Sequence, residues 1–144
     1  MAISQAMCTS FKVDLLNGIH SFDGTQTYKM ALFTSAASLD ATTTAYGASN
    51  EISGTGYTAG GQQLAISTAP TSGSTTAFIS FATITWPGAT FVGASGALIY
   101  NSTAGKSNKA VAVLNFGSPQ NVTASTFTVQ MPTADATNAI IRIQ

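Results

Sequence analysis

Apolar and polar residues alternate along much of this chain in short runs, and Gly, Ser, Thr and Pro separate the runs. A period of two is the mark of half-buried strands. Residues 28–34 put Tyr28, Met30 and Leu32 on one face and Lys29, Ala31 and Phe33 on the other. Residues 62–68 resume the pattern through Leu64 and Ile66, and Pro70, Thr71, Ser72 and Gly73 predict its end. Residues 77–86 read as a longer strand closed by Pro87 and Gly88. Residues 91–101 follow, with Gly93 and Gly96 predicting a bulge or a close backbone approach. Residues 101–108 read as a turn, 109–116 as the most buried strand, apolar on both faces, and 117–122 as a loop. In 126–131 Phe127, Val129 and Met131 point inward while Thr126, Thr128 and Gln130 point outward. Pro132 ends that run, and 138–143 close the chain as a terminal strand.

The beginning of the chain has a different period. Ser10 is placed to cap a helix over 11–17 that Gly18 stops. Phe11, Leu15 and Leu16 would share one face of it and dock on the sheet. Residues 35–61 are poor in apolar side chains and rich in Thr, Ser, Ala and Gly, which predicts a surface excursion with local turns. Long loops in compact domains are usually functional or disordered, and the functional reading here is a contact surface. About seven or eight short strands result, with turn signals every 8–12 residues or so. No helix separates them, so parallel βαβ units are not expected. The expected fold is all-β: an antiparallel β-sandwich, jelly-roll-like, with one short N-terminal helix. It forms a single domain over 1–144, with 1–9 as an extended N-terminal arm. The pattern leaves strand order open.

Composition sharpens this picture. Of the 144 residues, 7% are charged, against about 25% in an ordinary soluble domain, and the net charge is zero. Subunits of assemblies tolerate such neutrality, because no self-repulsion keeps neighbours apart. Nucleic-acid binding is not expected: it needs clustered cations, and of Lys12, Lys29, Lys106, Lys109 and Arg142 only Lys106 and Lys109 are close, in what reads as a solvated turn. Cys8 stands alone, so no internal disulfide is possible. Residues 1–7 lack the features of a signal peptide, and no apolar run approaches a membrane span. A cytoplasmic origin and no membrane partner are therefore expected.

The residues offer little chemistry. His20 is the sole histidine; Ser21 and Asp23 lie beside it, but neighbours in sequence rarely reach triad geometry. Ser95 lies within Gly93, Ala94, Ser95, Gly96, Ala97, which is not a nucleophile elbow. One His and one Cys cannot supply a zinc site. The carboxylates Asp14, Asp23, Asp40, Glu51 and Asp135 each fall in a predicted turn, loop or helix surface, with nothing to pair two of them for glycoside hydrolysis. Gly105, Lys106 and Ser107 imitate the end of a phosphate loop, but Tyr100 stands where its first glycine belongs. Gly54, Thr55 and Gly56 begin a dinucleotide fingerprint whose next glycine, Gly60, comes one residue late. Phe78, Phe81, Trp86, Phe91, Phe116 and Phe127 lie inside strand runs and read as core rather than as a sugar-binding platform. The sequons at Asn101 and Asn121 read as chance matches. No catalytic, cofactor-binding or metal-binding residue is expected.

Several segments carry a resemblance: SFKVDLLNGIHSF at 10–22, YKMALFT at 28–34, SLDATTTAY at 38–46 and EISGTGYTAGG at 51–61. GALIYN at 96–101, KAVAVLNFG at 109–117 and PTADATNAIIRI at 132–143 extend it over nearly the whole chain. Together they resemble the small virion structural proteins of tailed bacteriophages. The resemblance implies a location in the virion after assembly in the bacterial host cytoplasm. It points to a capsid decoration or cement role with the major capsid protein as partner, and to a homo-oligomer. A neck, tail or baseplate subunit is the alternative, and a virion-surface receptor- or carbohydrate-binding module a second; exposed aromatics in a groove would favour the latter and a buried Trp86 would weaken it. The segments 1–9 and 35–61 are the expected contact elements.

Overall fold

The computed structural model describes residues 2–144. Its elements are β1 (Ala6–Met7), α1 (Thr9–Leu16), β2 (Tyr28–Phe33), β3 (Gln62–Leu64), β4 (Ile66–Gly73), β5 (Thr76–Phe81), β6 (Ile84–Asn101), β7 (Lys109–Val129) and β8 (Ile141–Ile143). They form two sheets, ordered β1-β7-β6-β2-β3 and β4-β5-β8, in which every strand pair is antiparallel. The fold is the expected all-β, sandwich-like one with a single short helix. An aromatic group links the layers: Phe22 stacks on Tyr28 of β2 at 4.7 Å, and both lie about 6 Å from Phe81 of β5. Phe11 of α1 joins them edge-on to Phe22.

Several boundaries differ from the sequence reading, and one cause recurs. Pro87 with Gly88, and the stretch 117–122, were expected to end strands; both lie inside continuous ones. At these places the β6–β7 register shifts, between Trp86 and Ala89, Ala89 and Phe91, and Phe91 and Ala94. Gly88, Gly93, Gly117 and Ala124 take positive φ. The breakers build bulges that bend a long ribbon without ending it. The chain breaks instead at Ala82 and Thr83, between β5 and β6. Pro70 likewise lies within β4, an edge strand whose register shifts between Thr68 and Thr71, where a missing N–H costs no ladder bond. The expected close approach at Gly96 is present: a Cβ there would meet the Leu114 carbonyl at 2.5 Å and Ile3 at 2.8 Å.

The helix begins at Thr9 after Cys8, which makes no side-chain cap. Ser10 does not cap it; its hydroxyl donates to the Thr43 carbonyl at 3.4 Å. Gly18 does stop it, with φ +69 and its N–H bonded to Leu15 O. The expected apolar face is corrected: Phe11 and Asp14 are buried, Leu15 is partly buried, and Leu16 is 91% exposed. Leu16 sits five residues after Phe11, about 140° around the helix, whereas Asp14 lies closer to the buried stripe.

Residues 35–61 are not a peripheral excursion. Ala37, Leu39, Ile52 and Tyr57 are buried, and single bridges join Phe33 to Glu51, Ala45 to Lys109 and Thr55 to Thr90. The N-terminal segment is extended but lies along its own chain: β1 pairs with Ala112 and Val113, Ser4 N–H bonds Leu39 O, and Cys8 N–H bonds Val111 O.

Candidate functional site

The most concentrated chemistry lies where α1 meets β7. Asp14, expected on the helix surface, is buried, and Lys109, expected in a solvated turn, opens β7 and reaches it. Lys109 Nζ is 3.2 Å from Asp14 Oδ1 and 3.1 Å from Oδ2. The turn at Gly18 brings His20 beneath the same carboxylate, with Nε2 4.0 Å from Oδ2 and its side chain fully buried. Asn101 Nδ2 donates to His20 Nδ1 at 3.2 Å and to Gln26 Oε1 at 2.7 Å. That assigns the neutral imidazole proton to Nε2, which has no hydrogen-bond partner. Gln26 Nε2 closes the network on Ile19 O, and the Tyr28 hydroxyl donates to Ser21 O at 3.0 Å. Phe11 covers the imidazole at 4.8 Å. Helix, turn and three strands thus share one polar knot.

Burial holds the His20 pKa below its ordinary 6.5; Asp14 opposes this, and Lys109 and Lys106 reinforce it. The sign of its effect on stability follows. The unfolded chain takes up the proton first as pH falls through about 6.5, so this contribution is present above that pH and is lost below it. Asp23, Asp40 and Asp135 are held below the usual 3.8 by bonds from Thr25, Thr42 and Asn138, so they weaken the fold only in stronger acid. Denaturation midpoints measured from pH 7 down to about 4.5 should fall for the native chain and stay nearly flat for His20→Asn. Parallel curves would show that His20 is not the group responsible.

The knot has no nucleophile. Ser21 contributes its backbone, Asp23 is exposed and bonded to Thr25, and Cys8 is buried with its thiol pushed up to about 11, mainly by burial and further by Asp40. Among the described residues no three His, Cys, Asp or Glu side chains converge as metal ligands.

A second cluster secures the 35–61 segment. Glu51 accepts from the hydroxyls of Tyr46 (2.7 Å) and Tyr57 (2.6 Å) and from Gly60 N–H (2.7 Å). Tyr57 Oη accepts from Leu32 N–H, and Tyr100 donates to Gly60 O at 2.7 Å. Burial and the neighbouring Glu51 raise the Tyr46 and Tyr57 hydroxyls well above the ordinary 10, so both stay protonated donors. This too is architecture.

The remaining candidates resolve as packing and turns. Ser95 Oγ donates to Gly93 O within β6. Gly105 and Ser107 take positive φ in the β6–β7 turn, and Gly54 and Gly56 pack against Thr90 and Ala89. Phe81, Trp86 and Phe91 are buried, while Phe78, Phe116 and Phe127 are partly so. Trp86 is 2% exposed, which leaves it no sugar-facing role. Asn101 is buried in the polar knot, and Asn121 Oδ1 accepts from Gly93 N–H.

The surface is more informative than any pocket. No charged residue occurs from Ile52 to Gly105 or from Ala110 to Ala134. Strands β3 to β6 therefore carry none, and β7 has only Lys109 at its start. The β4–β5 hairpin and the distal β6–β7 ribbon carry no charge of their own, although Arg142 of β8 pairs beside Phe78 of β5. Charge collects around α1, residues 23–51, the 101–109 turn and the C-terminal segment. Among the described residues no helix is long and apolar enough to cross a membrane. No protein-family profile matches this chain, and neither a curated protein nor a solved structure matches it.

Proposed function

We propose that this chain is a non-catalytic structural subunit of a tailed-bacteriophage particle, a decoration or cement protein that binds the major capsid protein on the head shell. The observation that supports it best is the absence of charged side chains from the distal β6–β7 ribbon, on a chain of zero net charge. Such a surface packs against neighbours without desolvating ions, which costs several kcal/mol per unpaired charge. A specific contact of about 1,600 Å² repeated over a symmetric shell gains further strength by avidity. The segment resemblance over nearly the whole chain points the same way. The contact elements are better sought on the distal β6–β7 ribbon than in residues 2–9 or 35–61, which are largely engaged with their own chain.

Open strand edges suit a neck, tail or baseplate subunit as well, because rings can close by adding edge to edge. Copy number separates the two. Quantifying this chain against the major capsid protein in purified particles should give on the order of hundreds of copies for a shell component. A few to a few dozen would move it to the neck or baseplate, and absence from the particle would end the structural reading.

A further inference from the structure

We propose that the outer edge of β7 over residues 125–129 is a self-association surface, to which a second copy of this chain adds its own 125–129 as an antiparallel strand. Strand β7 pairs with β6 along its length, but on its other side β1 reaches only Ala112 and Val113. The residues flanking β1 and the bridge from Ala45 to Lys109 extend this cover only as far as Asn115, and among the described residues no strand pairs with that edge over 117–129. Natural proteins blunt such edges with lysines, prolines or bulges. Gly117, Pro119 and Ala124 do so over 117–124, with positive φ at Gly117 and Ala124. Residues 125–129 have no such device. From Phe127 to Val129 they pair in step with Trp86 to Ile84, and the next shift, before Ala89 and Ser125, takes up its extra residue on β6.

Beside this edge lies a shallow cavity of about 360 Å³, with the half-buried Phe116 and Phe127 in its wall and Gln120, Thr128 and Gln130 around it. An added strand would find both main-chain partners and a recess for an apolar side chain, the two elements of recognition by strand addition. Charge selects the occupant. With no ionic group from Ala110 to Ala134, an acidic or basic partner would meet no counter-charge here, whereas a second copy opposes none.

A two-fold axis at Phe127 sets Phe127 against its copy, Thr126 against Thr128 and Ser125 against Val129. Thr–Thr and aromatic pairs of this kind are favourable across strands. The other edges fit less well. Strand β4 carries Pro70 and two register shifts, β3 and β8 have three residues each with Arg142 in β8, and β1 has two. The inference does not rest on the particle assignment and is tested on the purified chain.

Sedimentation at up to about 100 µM should show a species of twice the 14.7 kDa chain mass. The double variant Thr126→Lys with Thr128→Lys places like charges opposite each other at both exposed pairs. It should weaken association at least about tenfold and run as the single chain. Thr126→Glu with Thr128→Lys places opposite charges at the same pairs and should restore the dimer, while Ser67→Lys on the exposed face of β4 should leave it unchanged. Circular dichroism on each variant reports whether it is folded. A native chain that stays monomeric, or folded lysine variants that still associate, would overturn the proposal. Failure of the Glu–Lys variant to restore the dimer would overturn the register.

Discussion

Gly61→Ala is expected to leave the chain without a stable, soluble fold, whereas Gly105→Ala should lower stability by only about 1 kcal/mol. Both glycines have positive φ, +74 and +81, so alanine is strained at either. The space around them differs. A Cβ on Gly105 meets nothing within 4 Å, but one on Gly61 runs into the Met30 carbonyl and approaches Ala31 Cα to 2.7 Å. Those atoms are backbone of β2, which is paired on both sides, with β3 and with β6. No rotamer change can relieve the overlap; either β3 leaves the sheet or the turn at 58–61 unwinds. The turn also holds Gly60, whose N–H and carbonyl anchor Glu51 and Tyr100. The combined loss should exceed about 4 kcal/mol, a large share of the 5–15 kcal/mol that holds a typical domain together. Soluble yield and urea midpoints of the two variants give the comparison, and equal losses would refute the backbone-contact argument.

Lys109→Met should cost about 2–3 kcal/mol and Asp14→Asn with Lys109→Met clearly less. Removing one partner of a buried pair leaves the other charge uncompensated, a loss of roughly 3–5 kcal/mol when both are fully buried. Here the lysine side chain is 34% exposed and Asp14 10%, so water screens part of the interaction and the expectation is reduced. Neutralising Asp14 in the lysine variant removes the stranded charge. A double-mutant cycle should therefore show coupling of at least about 1 kcal/mol. The lysine variant should also shift the His20 titration. Without the cation, Asp14 acts on His20 with less opposition, His20 protonates more readily in the folded state, and the loss of stability below pH 6.5 becomes smaller. Additive single and double variants would mean that Lys109 is merely a surface charge.

The alternation of Tyr28, Met30 and Leu32, the apolar core of 109–116 and the turn at 101–108 were legible because they depend on local period and turn chemistry. So was the stop of the helix at Gly18, where a positive φ is needed. Asp14 was not. Its helical neighbours Val13 and Leu15 are ordinary, and only the arrival of Lys109 from 95 residues away makes a buried carboxylate tolerable. The Glu51 cluster escaped notice for the same reason, since Tyr46, Tyr57 and Tyr100 gain meaning only when they converge.

Pro70, Pro87, Gly88 and Gly117 show the other limit. A breaker in sequence says that a strand cannot continue straight, but whether it ends or bends depends on a neighbouring strand being present to pair beyond the bulge. By itself the sequence determined that this protein is a small β domain of low, balanced charge, because strand period and composition act residue by residue. Only the tertiary structure decided the order β1-β7-β6-β2-β3, the burial of the Asp14–His20–Lys109 knot and the bare edge of β7. Each depends on segments far apart in the chain meeting, and no local pattern encodes which of them do.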